Sequence, residues 1–357
     1  MKKELRKYNK INSYGIISII LFSLIFTSIF LVPTEATTNN IGENNINDAG
    51  LVEHESIYIG NDAAFETYGF PGNGSVSDPY RIENLNITTT DDDAIIVIIT
   101  SKHFIIQNCY LQAVRYGIYL HVVSDYTATL LNNTIKNTDS SGVYLLDSDG
   151  VTIANNSLIN NKADHNLYMR NCENVIIANN TVMASRKAAV LAEGCTDCIF
   201  YFNHIELNVG YGLVLYEGTE DCIIFHNNFI DNKPGNPQVY VDYLSTINIF
   251  YNLDILEGNF YNNWIGEGNY TIGGTGDPVA DPYPLAEAIP NLKDLGYDPS
   301  NPRPEPVTTT PPPTTTPPLE TTKPSSSTEP STWSLISILS LIGLVLVVHR
   351  MKRRRIE

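Results

Sequence analysis

Between residues 81 and 265 the apolar positions fall into columns that recur every 23 to 25 residues. One column runs Ile87, Leu111, Ile135, Leu158, Val182, Ile205, Ile230 and Ile255; five residues before each stand Ile82, Ile106, Leu130, Ile153, Ile177, Phe200, Phe225 and Phe250. Another runs Ile95, Ile118, Val143, Leu167, Val190, Leu213 and Val239, each followed two residues later by a further apolar residue such as Val97, Leu120 or Met169. Alternation with period two inside a fixed long repeat predicts short strands wound into coils, each coil burying its apolar positions on its neighbours. Leucine-rich repeats have a similar period, but here β-branched residues dominate the columns, which favours strand throughout.

Asparagine gives the repeat its second signal. Three positions before the first column lie Asn84, Asn108, Asn132, Asn155, Asn179, Asn227 and Asn252, interrupted at Phe202. Counting by twos from the Ile153 column places this position inward. Coils about 4.8 Å apart would let each carboxamide bond to the next, so these seven residues are expected to form a buried structural ladder. The following position, with Asn133, Asn156, Asn180, Asn203 and Asn228, is expected at the bend, in left-handed backbone that asparagine tolerates.

The ends of the chain read differently. Lys2, Lys3, Arg6 and Lys7 precede an apolar run from Ile16 to Val32, the pattern of a signal peptide over residues 1–36. An N-terminal cap is expected over 37–80, the coils over 81–265 and a C-terminal cap over 266–299. A Pro/Thr/Ser stalk follows at 300–331, then an apolar transmembrane segment at 332–349 and a basic cytoplasmic tail at 350–357. This arrangement predicts display on the extracellular face of the cell membrane, with the C-terminal helix as membrane partner. Residues 37–331 hold 12 of the 22 Lys+Arg and 36 of the 39 Asp+Glu, a charge near −24 that argues against nucleic acid as a partner.

These residues resemble the right-handed parallel β-helix family with pectate-lyase-like coils, and within it the NosD-type carbohydrate-binding-and-sugar-hydrolysis repeats. "FPGNGSVSDPYRIENLNI" (Phe70 to Ile87) is similar to the family's opening segment, "GIYL" and "NNTI" to its coil words, and "NNWIGEGNYTIGG" to its closing segment. The resemblance implies an all-β, single-stranded right-handed parallel β-helix of about eight coils, three strands to a coil, with the Asn corner between the second and third. It also implies a working surface on the outer face of the first strand and the loop entering it. There the columns place Tyr119, Tyr144 and Tyr168 as an aromatic strip, flanked by Arg170, Asp164, His165, Lys187 and Arg115, a mixture suited to carbohydrate or another cell-surface polymer.

Catalysis has weaker support. Asp91, Asp92 and Asp93 beside Arg115 are the nearest approach to a lyase site and leave Ca²⁺ open as a ligand, although three acidic residues in a loop are also ordinary solvated turn residues. The Asp-Pro-His-Asp motif of the related epimerases is absent after Tyr116-Gly117. The expectation is therefore a binding module; a polysaccharide lyase, epimerase or hydrolase is the first alternative, and a structural envelope or adhesion module the second. No catalytic residue and no cofactor is assigned. The seven histidines are scattered over different columns, so no copper site is expected. Among the five cysteines, Cys172 aligns with Cys195 and Cys198 with Cys222 in adjacent coils, which makes two disulfides conceivable with Cys109 free; five packed thiols are the alternative.

Overall fold

The alternating runs pair in register into three parallel sheets in the computed structural model, which describes residues 50–161 and 165–290. The signal peptide, stalk, transmembrane segment and basic tail expected from the sequence lie outside the described residues. Among the described residues, no helix is long and apolar enough to cross a membrane. First strands such as Ile118–Val123, Val143–Leu146 and Leu167–Arg170 pair Ile118 with Val143 and Val143 with Leu167. Second strands such as Thr152–Ala154 and third strands such as Ser157–Ile159 stack in the same way. The apolar columns meet inside, where Ile118, Leu120, Leu130, Ile135, Val143, Leu145, Ile153 and Leu158 have no solvent exposure.

Seven coils carry all three strands, and an eighth is partial, holding only Val239–Val241 and Phe260–Tyr261. In that last coil a turn through Asn252–Gly258 breaks the sequence repeat. Ile255 is half exposed, and Tyr261 takes the buried place expected of it. In the coil before, the inward residues are Ile224 and Phe229, one position earlier than the repeat of Phe225 and Ile230 suggested.

The asparagine ladder exists, one residue later than expected. Asn84, Asn108, Asn132, Asn155 and Asn179 adopt left-handed backbone with φ of 53–59° and form the outer edge of the corner, as do Phe202 and His226. The next residue points inward. Asn133, Asn156, Asn180, Asn203, Asn227 and Asn259 are buried, and the Oδ1 of each accepts the backbone N–H of its predecessor in the column, beginning with Cys109 N–H on Asn133 and running at 2.8–3.1 Å. Asn227 belongs to the ladder because the repeat slips by one in its coil, and Asn252 instead accepts N–H groups of its own turn. A single left-handed residue reverses the parity of the strand at the corner, so counting by twos across it assigned the inward position to the wrong residue.

The same rule governs the other corners. Left-handed Asn137, Asn160, Ala184, Leu207 and Asp231 precede buried Thr138, Asn161, Ser185, Asn208 and Asn232, a second polar ladder that ends on Gln238. After the first strand, left-handed Val122, Asp147, Asn171, Gly194 and Gly218 precede buried Val123, Ser148, Cys172, Cys195 and Thr219. The thiols thus occupy a place that small polar residues fill elsewhere, and Cys172 Sγ donates to Arg170 O at 3.3 Å as Ser148 Oγ donates to Leu146 O.

The two disulfides do not form: all five cysteines are free and buried. The thiols of Cys172, Cys195, Cys198 and Cys222 donate instead to the carbonyls of Arg170, Glu193, Thr196 and Glu220. Side chains in one column point the same way, so their Cβ atoms stay about one strand spacing, ~4.8 Å, apart, wider than the ~3.8 Å a disulfide needs.

Both ends of the stack are covered. Helix Ala64–Tyr68 inserts Phe65 over Tyr80, ring centroids 4.7 Å apart. At the other end, Tyr270–Gly274 and Val279–Asp281 form an antiparallel pair, with Tyr270 stacked on Tyr261. Capping removes the open strand edges that would otherwise template association.

Candidate functional site

The outer face of the first-strand sheet is rigid because its inner face is the core. Tyr119, Tyr144 and Tyr168 are direct register partners, and Arg170 pairs with Glu193. The expected strip is present, but its rings turn their faces toward one another. Tyr119 and Tyr144 centroids lie 5.2 Å apart at 18°, and Tyr144 and Tyr168 lie 4.8 Å apart at 10°. One strand spacing suits stacked rings, and each ring removes its neighbour's apolar face from water. The solvent side of the strip is consequently a row of ring edges and phenol hydroxyls.

Tyr116, from the loop before Tyr119, packs beside the strip at 5.5 Å from Tyr119 and 5.2 Å from Tyr144. The hydroxyls of Tyr116, Tyr119 and Tyr144 have no hydrogen-bond partner among the described residues. Tyr168 differs: its hydroxyl donates to Glu193 Oε2 at 2.6 Å, and Glu193 Oε1 holds Arg170 Nε at 3.0 Å. Burial, then this bond to Glu193, push the Tyr168 hydroxyl far up from its ordinary value; burial raises Tyr119 and Tyr144 as well. All three remain neutral phenols near neutral pH, suited to hydrogen bonding and unsuited to serve as bases.

At the lower end of the strip, Arg115 is held by two carboxylates, Asp93 Oδ2 at 2.7 Å and Asp92 Oδ1 at 3.2 Å. Asp93 is buried, and its other oxygen accepts the Tyr116 N–H at 2.8 Å. The guanidinium thus occupies the space where the acidic loop could have faced a cation. His165 stands against Tyr168 at 5.9 Å, with Nδ1 3.0 Å from Ala188 O. Lys187 is an exposed residue of the same entering loops, and Asp164 lies outside the described residues. The structure therefore joins Tyr119, Tyr144, Tyr168, Arg170, Arg115 and His165 on one surface.

Tyr116, Glu193 and Asp93 were outside the residues expected to bind carbohydrate, although the sequence already set Asp93 beside Arg115. Tyr116 sits two residues before the strand, where outward and inward parity is not yet fixed. Glu193 follows Arg170 in the aligned column, so its pairing could have been found from the repeat alone. Asp93 resembled a solvated turn residue because nothing in a run of three aspartates marks which one is buried.

Asp93 gives a pH test. Desolvation is the largest effect on its carboxyl and raises its pKa, outweighing the Tyr116 N–H and Arg115. A folded-state pKa above the unfolded one adds stability that is complete below the unfolded value and is lost as pH rises through the folded value. The melting temperature of the native chain relative to Asp93→Asn should therefore increase as pH falls through the acid range. A decrease would show that Arg115 dominates instead.

Three comparisons place the chain among known proteins. A family model described as periplasmic copper-binding protein (NosD) matches residues 39–270. Among solved structures, the periplasmic alginate epimerase AlgG matches with a TM-score of 0.44 at 16% identity, covering 55% of this chain and 47% of its own. The A-module of the Azotobacter vinelandii mannuronan C-5 epimerase AlgE6 matches with a TM-score of 0.38 at 16% identity, covering 57% and 55%. The chain spans about half the length of these structures. No curated protein sequence matches it.

Proposed function

This chain belongs to the NosD family, and we propose that it is a surface-binding module whose first-strand face holds carbohydrate or another surface polymer, displayed outside the cell on a C-terminal stalk and anchor. The observation that carries the reading is the register-locked row of Tyr119, Tyr144 and Tyr168, in which Tyr119 and Tyr144 have free phenol hydroxyls and Tyr168 ends the row in the Tyr168–Glu193–Arg170 cluster. Neutral phenols offer a donor and an acceptor each on a scaffold that does not have to rearrange, so little ordering cost opposes binding. The family's periplasmic description agrees with a location outside the cytoplasmic membrane.

Copper, which the family description names, does not fit the residues present. Thiolate or neutral imidazole ligands must gather around the ion. Burial pushes the Cys109 thiol up to about 11, and the other four thiols are buried in the core, each donating to a backbone carbonyl. His204 and His226 are paired with Glu206 and Glu257, on a different sheet corner from His121 and His165. Among the described residues no three His, Cys, Asp or Glu side chains form a group that could hold a metal ion. Copper enters no step of the proposal.

The test removes hydroxyls and keeps rings. Tyr119→Phe combined with Tyr144→Phe preserves the stack, so the fold should persist while retention of the full chain on polysaccharide gels falls by about tenfold or more, each lost hydroxyl bond contributing about 1 kcal/mol. Unchanged retention, with retention also unchanged in Tyr144→Ala combined with Tyr168→Ala, would remove this face from consideration.

A further inference from the structure

The tyrosine row fixes more than the presence of a binding face; it fixes a repeat distance, a direction and a charge. We infer that the ligand, on the reading that this face binds carbohydrate, is a neutral, extended 1,4-β-linked glycan lying along the solenoid axis, with one pyranose unit per coil.

The distance comes from the register. Tyr119, Tyr144 and Tyr168 occupy equivalent positions on consecutive coils, their centroids 5.2 and 4.8 Å apart and their planes nearly parallel. Hydroxyls on such a stack follow one another at the spacing of the strands, about 5 Å. A pyranose unit in an extended 1,4-β-linked chain advances by about the same distance. Successive units then meet equivalent hydroxyls without cumulative mismatch. A 1,4-α-linked glucan coils, and it would leave the row after one or two units.

The direction follows from the same stack. Because the ring faces are covered by neighbouring rings, the face offers sugar rings hydroxyls and ring edges, not a flat platform. Contacts to sugar hydroxyls at each coil favour a polymer running along the row over a single sugar seated on one ring. Three consecutive coils supply the contacts, those of Tyr119, Tyr144 and Tyr168; in the next coil the aligned residue is Leu191, and Glu193 closes the row by accepting from the Tyr168 hydroxyl.

The charge comes from the ion pairs. Arg115 is matched by Asp92 and Asp93, and Arg170 by Glu193, so the cations nearest the row already have carboxylate partners. Both guanidiniums that border the row are thus neutralised locally and offer little to a polyanion. The whole chain, at −17, would repel one at long range. A neutral polymer meets neither obstacle.

The test is a titration of the full chain with cello-oligosaccharides of increasing length, malto-oligosaccharides of equal length, and 1,4-β-linked mannuronate oligomers as the charged counterpart. Affinity for cello-oligosaccharides should rise by roughly three- to tenfold for each added unit up to three and then level off. The malto series should stay flat, and mannuronate oligomers should bind more weakly than cello-oligosaccharides. Tyr144→Phe, which keeps the stack, should flatten the rise at the second unit. Equal affinity for the two linkages, or no dependence on length, overturns the one-unit-per-coil assignment while leaving carbohydrate binding in place. Tighter mannuronate binding overturns the neutral class. Failure of every glycan to bind overturns the binding reading itself.

Discussion

Asn180→Leu should destabilise the solenoid by about 3–6 kcal/mol, a large share of the ~5–15 kcal/mol that holds a typical domain together. Asn180 Oδ1 accepts both the backbone N–H and the Nδ2 of Asn156, at 2.8 and 3.1 Å, while its own Nδ2 donates to Ile153 O and Asn203 Oδ1. A leucine of similar volume leaves the Asn156 donors and the Ile153 carbonyl without these partners in a place water does not reach. Each orphaned group costs about 1–3 kcal/mol. Asn155→Gly is the control, because Asn155 adopts φ 59° on the outer edge of the corner and glycine accepts that backbone freely. Urea unfolding should show a large shift in midpoint for Asn180→Leu and a shift of a few tenths of a molar at most for Asn155→Gly. Equal shifts would contradict the assignment of ladder and corner.

Gly142→Ala should be nearly as damaging, and for the site as well as the fold. Gly142 immediately precedes the strand that carries Tyr144. A Cβ there would sit 2.5 Å from Asn161 Nδ2 and 2.9 Å from the Asn166 carbonyl oxygen, closer than real atoms approach. Asn161 Nδ2 donates to Asn166 Oδ1 at 2.8 Å, so the second polar ladder must give way or the strand must move outward. Overpacking costs about 1–3 kcal/mol and the broken ladder bond adds about 1–3 more. Displacing the strand also takes Tyr144 out of line with Tyr119 and Tyr168. Near-ultraviolet circular dichroism should lose the signal of the stacked tyrosines, with a lowered melting temperature; a native spectrum and melting point would show that the coil has slack at this corner.

The fold was legible because burial repeats. Residues such as Ile118, Val143 and Leu167 face the core in every coil, and no tertiary contact outside the stack is needed to place them. The corner was not legible to the residue. One left-handed position shifts parity, and a sequence of two asparagines does not state which of them turns; Phe202 followed by Asn203 does, since only the second can sit in a ladder. The cysteines aligned correctly and were still unbridged, because alignment fixes the distance between Cα atoms and leaves the Cβ vectors parallel. At the site, the column of tyrosines was evident, whereas the turning of their faces toward one another follows from coil spacing and side-chain direction together. Glu193 and Asp93 act through pairings between coils, which a list of outward residues does not contain.

The inward ladder is the claim on which the site's register depends, and exchange of side-chain carboxamide protons tests it most directly. By NMR in deuterated water, the Nδ2 protons of Asn156, Asn180 and Asn203 should exchange only with global unfolding, since each donates inside the core. Those of Asn132, on the outer edge, should exchange rapidly. The reverse pattern, with Asn132 protected and Asn156 and Asn180 exchanging at the rate of free amides, would contradict the account.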